Sequence, residues 1–120
     1  MKLYDSELKV MDVLWREGEM PARMVADVLA GAVGWNVNTT YTVIKKCVAK
    51  GAVERREPGF ICRALVTRAQ VQEAEAEELV SKLFDGAPEK LFAALVGGKK
   101  LTKEQLARLR EIVDELDEEA

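Results

Sequence analysis

The apolar period changes once in the first half of the chain, and the change falls at Gly51. Before it, hydrophobic residues recur at helical spacing; after it they alternate. The spacing predicts a first helix from Asp5, as N-cap, to about Glu17, with Leu8, Met11, Leu14 and Trp15 on one stripe and Gly18 ending it. A second helix is expected to hold Pro21 in its first turn, to bury Val25, Val28 and Leu29, and to stop at Gly31. After the turn Gly31-Ala32-Val33-Gly34 and Trp35, a third helix starts at Val37 or Asn38 and ends at Gly51. Residues 52–56 and 60–65 then read as two short strands joined by Pro58-Gly59, a fixed φ followed by a residue that tolerates positive φ. Three helices followed by a hairpin is the order of a winged helix-turn-helix, whose third helix enters a major groove while the wing lies along the sugar-phosphate backbone. The same order also fits a small α+β core with no nucleic-acid role.

Charge bears on that choice. The net charge of −3 is uneven: residues 1–66 carry ten Lys and Arg against eight Asp and Glu, and residues 67–120 carry eight against thirteen. From Asn36 to Arg63 there are six bases and only two acids, Glu54 and Glu57. Such a patch attracts polyanions, although a solvated basic face is the bland reading. The third helix sharpens the point. Val43, Ile44, Cys47 and Val48 fall on one side; Asn38, Tyr41, Thr42, Lys45 and Ala49 fall on the other, which is polar without being acidic. No acid occurs between Val28 and Val53, whereas a face selected only for solubility would include some.

Composition removes other classes. With no histidine the chain lacks the commonest general base and the usual nitrogen ligand for zinc, and its carboxylates lie on solvated helix faces, so no enzyme, metal site or cofactor is expected. Cys47 and Cys62 are too far apart in sequence for a CxxC pair. They could form a thiol switch between helix three and the wing, but Cys47 on the apolar face reads first as core. Trp15 and Trp35 read as packing residues. Met1-Lys2-Leu3 leads into an acidic amphipathic stretch with no secretory pattern, and no apolar run could cross a bilayer, so a cytoplasmic location without membrane contact is expected.

From Thr67 the chain reads as helical to its end. Thr67-Arg68-Ala69-Gln70 and Thr102-Lys103-Glu104-Gln105 have the capping-box pattern. Between them, breaks at Asp85-Gly86-Ala87-Pro88 and Gly97-Gly98 delimit three helices, and Glu104 stands four residues before Arg108. The apolar residues Leu79, Val80, Leu83, Phe84, Leu91, Phe92, Leu95, Leu106, Leu109, Ile112, Val113 and Leu116 form stripes that so short a segment is poorly sized to bury by itself. A second copy of the chain would bury them; folding back on the first half is the alternative. The expected organisation is therefore mainly α with a small β-hairpin: a winged domain at 1–66 and a three-helix dimerisation domain at 67–120.

The stretch Trp35-Asn36-Val37-Asn38-Thr39-Thr40-Tyr41-Thr42-Val43-Ile44-Lys45-Lys46-Cys47-Val48-Ala49-Lys50-Gly51 resembles the penicillinase repressor (BlaI/MecI) family: a Trp, a Thr-x-x-Thr helix start, a basic helix end and a Lys-Gly. Val10-Met11-Asp12-Val13-Leu14-Trp15 is similar to that family's first helix, and the similarity continues into the tail. The resemblance implies a homodimeric transcriptional repressor on palindromic operators. It matches Thr39 and Thr42 to the two helix threonines, Lys46 to the basic position, and Lys50-Gly51 to the helix end. Pro21 replaces the usual N-cap threonine of helix two, and Cys62 and Ala64 replace a Tyr and a Pro after the wing. Members paired with a β-lactam sensor are cut at an Asn-Phe bond in the short tail helix; Ala94-Leu95 stands there in this chain, which weakens the expectation of a regulatory protease as partner. Copper-responsive relatives end in CxC pairs, and this tail has no cysteine.

Together these readings assign base contacts to Asn38, Thr39, Tyr41, Thr42 and Lys45, and phosphate contacts to Lys46, Arg55, Arg56 and Arg63, on double-stranded DNA. The competing function is a protein-interaction module that uses the winged fold as a docking surface without sequence-specific DNA binding.

Overall fold

The computed structural model describes residues 1–119. The elements run α1 (Asp5–Glu17), β1 (Met20–Pro21), α2 (Ala22–Val33), α3 (Val37–Ala49), β2 (Val53–Arg56), β3 (Ile61–Ala64), α4 (Arg68–Leu83), α5 (Pro88–Gly97) and α6 (Lys103–Glu119). The fold is mainly helical with a small antiparallel sheet, as the order of periods implies. The chain divides into two compact units, Met1–Glu75 and the remainder from Ala76. The first unit thus runs past Val66 and takes in the opening turns of α4.

In the first unit the amphipathic faces of α1, α2 and α3 meet. Val10, Met11, Val13 and Leu14 pack with Val25, Leu29, Val43, Ile44 and Cys47, and the sheet adds Val53 and Cys62. Trp15 lies at the edge of this core with its indole N–H donating to the Val66 carbonyl at 2.8 Å, consistent with packing.

Several boundaries differ from the sequence expectation. Asp5 is the first residue of α1 rather than its cap; Tyr4 is the N-cap, and its N–H donates to the Glu7 carboxylate at 2.8 Å. Pro21 is the N-cap of α2, just ahead of the helix, and pairs as part of β1 with β3. The sheet is therefore three-stranded, in the order β1-β3-β2, not a bare hairpin. Proline is tolerated there because β1 is an edge. Gly31 does not stop α2, which continues to Val33; the left-handed residue that ends it is Gly34, at φ 74°. Val28 is half-buried, while Ala26 takes a fully buried place.

The most consequential contact in this unit is a buried ion pair. Glu7, in the first turn of α1, is 1% exposed, and its Oε1 accepts from Lys50 Nζ at 2.7 Å. Lys50, the C-cap of α3, also donates to the Lys2 carbonyl at 2.7 Å and lies 4.5 Å from the centre of the Tyr4 ring. The chain can leave α3 here because Gly51 adopts φ 81°. Ala52 N–H then reaches back to the Cys47 carbonyl at 2.9 Å, closing the helix end. Burial opposes charge on Glu7, but the Lys50 ammonium and the Tyr4 N–H outweigh it and hold the carboxyl below its ordinary 4.5.

In the second unit the capping box forms as read: Thr102 N–H donates to Gln105 Oε1 at 2.8 Å and Gln105 N–H to Thr102 Oγ1 at 3.1 Å. Its counterpart at Thr67 and Gln70, at 2.9 and 3.1 Å, opens α4 in the first unit. The ion pair that forms on α6 is Arg108–Glu111 at 3.1 Å rather than Glu104–Arg108, as the guanidinium turns toward the acid-rich end. No described residue of the second unit is buried: Val80, Phe84, Leu91, Leu95, Leu106 and Leu109 are half-covered, and Leu79, Leu83, Phe92, Ile112, Val113 and Leu116 are exposed. Among the described residues no helix is long and apolar enough to cross a membrane.

Glu7→Gln is expected to lower unfolding free energy at pH 7 by about 2–4 kcal/mol, since it strands the Lys50 ammonium while leaving its solvent-facing part hydrated. The folded-state pKa of Glu7 is depressed, so its contribution is complete above the unfolded value and is lost as pH falls through the folded one. Urea titrations of both proteins should therefore differ at neutral pH and converge only in acid below the ordinary glutamate range.

Candidate nucleic-acid interface

Helix α3 is started by Asn36, whose side-chain oxygen accepts from Thr39 N–H at 2.8 Å. This cap places the next turns with one apolar and one open side. Thr40, Val43, Ile44 and Cys47 are buried; Asn38, Thr39, Thr42, Lys45 and Lys46 are exposed. The open side thus brings together four of the five residues expected to read bases, and Lys46 beside them.

Two of the five differ in what they can offer. Thr42 Oγ1 donates to the Asn38 carbonyl at 2.9 Å, so its proton is used within the helix while the residue stays exposed. That suits contact with a thymine methyl or a base amino group better than donation to a phosphate. Tyr41 is half-buried, with its ring 5.8 Å from that of Phe60 at a 48° tilt. Its first role is therefore to brace α3 against the root of the wing.

The wing is the β2–β3 hairpin, with Val53 opposite Ala64 and Arg56 opposite Ile61, and Gly59 at φ 93° in its turn. All three wing arginines are exposed, and each is already paired. Arg55 bonds Glu57 at 2.6 Å and stacks its guanidinium 3.6 Å from the centre of the Phe60 ring. Arg63 bonds Glu54 at 3.0 Å. Arg56 reaches Glu54 at 3.4 Å and also pairs with Glu19, which arrives from the turn between α1 and β1. The hydrogen bond from Arg63 lowers the Glu54 carboxyl and the one from Arg55 lowers Glu57, so both remain anionic at neutral pH. Lys45 and Lys46, by contrast, make no ion pair among the described residues.

Sequence reasoning therefore found the basic residues of the wing but missed their neutralisation. Glu54 and Glu57 could have been suspected from alternation and proximity along the hairpin; Glu19 gave no signal, because its approach to Arg56 depends on β1 joining the sheet. Phe60 was missed as the ring that Tyr41 and Arg55 share.

The two thiols are core groups. Cys47 and Cys62 are both fully buried. Burial pushes the Cys47 thiol up to about 12, with the Glu7 charge adding to it, and pushes Cys62 up to about 11. Neither carries appreciable thiolate at neutral pH, which is the opposite of a redox-sensing cysteine.

Comparisons with known proteins place these features among relatives. A family model described as Penicillinase repressor matches residues 3–115. The methicillin resistance regulatory protein MecI of Staphylococcus epidermidis is 20% identical over 115 residues, spanning 94% of this chain and 94% of that protein. An uncharacterized 16.5 kDa protein encoded in the ptsI 3' region of Latilactobacillus sakei is 26% identical over 110 residues, spanning 90% of this chain and 75% of that protein. Among solved structures, the solution structure of the DNA binding domain of the repressor BlaI superposes with a TM-score of 0.53 at 24% identity, covering 57% of this chain and 85% of that one. That likeness concerns the fold of the winged unit.

With both thiols buried and protonated, iodoacetamide at pH 8 should modify the folded protein about a hundredfold more slowly than the urea-unfolded chain. Rapid labelling of either cysteine under native conditions, read by intact mass, would restore a thiol switch.

Proposed function

The chain belongs to the penicillinase repressor family, and we propose that it is a cytoplasmic transcriptional repressor that binds palindromic operator DNA as a homodimer and blocks transcription by occupying it. The observation that carries this reading is the acid-free, exposed side of α3, with Asn38, Thr39, Thr42 and two unpaired lysines, Lys45 and Lys46, in one surface. Helix three lies in the major groove; Thr42, Asn38, Thr39 and Lys45 face base edges, Tyr41 sits at the groove wall, and Lys46 meets phosphate. Arg55, Arg56 and Arg63 reach the flanking backbone by exchanging a carboxylate for a phosphate.

A palindromic site requires two winged units held at a fixed separation. The uncovered apolar residues of the second unit supply the reason for a second copy. Leu79, Leu83, Phe92, Ile112, Val113 and Leu116 remain exposed in a single chain, an arrangement that an isolated soluble monomer seldom keeps. The family is one of transcriptional repressors rather than enzymes. Proteolytic inactivation within α5 is not part of this reading, since Ala94-Leu95 occupies the place of the bond that β-lactam-linked relatives offer.

Mobility-shift titrations on a selected operator and on random duplex separate the roles. Thr42→Ala should relax sequence preference by about 1 kcal/mol, whereas Arg56→Ala should weaken both duplexes alike and flatten the log-log salt slope by about one. Glu19→Ala should tighten binding to both by about two- to fivefold, because it removes one of the two carboxylates that pair with Arg56 in exposed ion pairs. Indifference of operator affinity to Thr42→Ala and Arg56→Ala would overturn the interface and leave the protein-interaction module as the reading.

A further inference from the structure

Helix α6 has Lys103 and Glu104 together in its first turn, but its C-terminal end carries charge in the order unfavourable to a helix standing alone. Residues 99–110 hold five bases, Lys99, Lys100, Lys103, Arg108 and Arg110, against the single acid Glu104. Residues 111–119 hold six acids and no base. The N-terminal end of a helix is partially positive and the C-terminal end partially negative, so bases at the start and acids at the end each raise its energy. Helix α1 has the favourable order, with Asp5 and Glu7 in its first turn and Arg16 in its last. Helix α6 has no base in its last turn.

The apolar residues of α6 follow the same polarity. Leu106, Leu109, Val113 and Leu116 recur at the alternating three- and four-residue spacing of a coiled-coil seam. Leu106 and Leu109 are half-covered by their own chain, but Val113 is 55% and Leu116 60% exposed. The acidic half is thus also the half whose seam is bare.

We propose that α6 pairs antiparallel with α6 of a second copy, basic half against acidic half. This rests on the homodimer reading above and specifies the orientation within it. Centred on Glu111, the pairing sets Leu106 opposite the partner's Leu116 and Leu109 opposite the partner's Val113, each seam residue meeting one of complementary position. Lys103 then lies alongside the partner's Asp117. Residues 103–110, of net charge +2, then cover the partner's residues 111–119, of net charge −6, and the two helix dipoles oppose. A parallel pair would use the same seam but stack six acids on six acids. Charge segregation that costs a lone helix stability becomes, in the antiparallel pair, the feature that fixes orientation.

Sedimentation equilibrium of the full chain at low salt tests this with two sets of reversals. Lys103→Glu with Arg108→Glu and Arg110→Glu should weaken the dimer by at least about tenfold, as should Asp114→Lys with Asp117→Lys and Glu118→Lys. Both sets in one chain should bring the dissociation constant back to within about threefold of the original, because opposite charges again meet. Equal constants across all four proteins would overturn the orientation. A second measurement does not depend on charge. Lys103→Cys mixed with Asp117→Cys should give mixed dimers with a short bismaleimide, the native thiols being buried, while self-linking of each variant by itself would overturn the proposal. Single copies of the unaltered chain at every concentration would remove the homodimer reading along with it.

Discussion

The carboxylate of Glu7 is the point on which the winged unit turns. One oxygen receives both the N–H that opens α1 and the ammonium that closes α3, so a single buried group fixes the start of one helix against the end of another. The apolar core could be satisfied by several small rotations of α3, because hydrophobic contact has no direction. A hydrogen-bonded ion pair at 2.7 Å has direction. Its net contribution to stability is limited by the cost of removing both charges from water, so its chief effect is to select one position of α3 among those the core would tolerate. The presentation of Asn38, Thr42 and Lys45 follows from that position.

Once α3 is placed, the surface divides into two kinds of positive charge. Lys45 and Lys46 make no ion pair among the described residues and contribute to the field that a polyanion meets at a distance. The wing arginines are balanced locally by Glu19, Glu54 and Glu57, and therefore add little to that field until contact. On the proposed DNA-binding reading, long-range attraction and close-range grip fall to different elements. An arginine that leaves a carboxylate for a phosphate gains only the difference between two similar bonds, which limits non-specific affinity more than it limits a site where α3 also finds its bases. The Tyr41–Phe60–Arg55 stack ties the two elements together, so the wing and α3 approach as one body.

The helices were legible because each repeats its signal over several turns. Leu8, Met11 and Leu14 in α1, and Val43, Ile44 and Cys47 in α3, give the same answer at every repeat, and the Thr67 and Thr102 boxes mark helix starts through local hydrogen bonds alone. What escaped was either too short or too distant to repeat. Strand β1 has two residues and hence no period, and Pro21 resembles a first-turn proline until pairing with Ile61 is known. Gly31 looked like a helix end because sequence cannot tell a glycine that ends a helix from one merely within it; Gly34 three residues later met the need for positive φ. At the interface, the exposure of Asn38, Thr42 and Lys45 followed from helical phase, while Thr39 and Lys46 were pointed to by the resemblance. The inward bond of Thr42, the packing of Tyr41 and the pairing of Arg56 with Glu19 depend on rotamer and tertiary approach, which a linear pattern does not encode.

The two units meet the burial problem in opposite ways. The first encloses Val10, Met11, Val13, Val25 and Ile44 completely, and α4 contributes Val71 to the edge of that core and Arg68 to a 2.9 Å pair with Asp12. It therefore has what a small domain needs to be stable by itself. The second has the end of α4, α5 without a side-chain cap, the capped α6, and no enclosed side chain among its described residues. Capping and propensity contribute only small increments to helices of this length, and without a buried face they do not offset the entropy of ordering the chain. Stability in the second unit then depends on what covers its apolar seams; in the proposed homodimer it would vary with concentration, while stability in the first would not. On the proposed repressor reading, a substitution in the core of the winged unit and one on a tail seam would have the same effect on repression for unrelated reasons. The first would remove a folded winged unit; the second would leave that unit intact and remove the fixed separation of two such units that the proposed palindromic site needs.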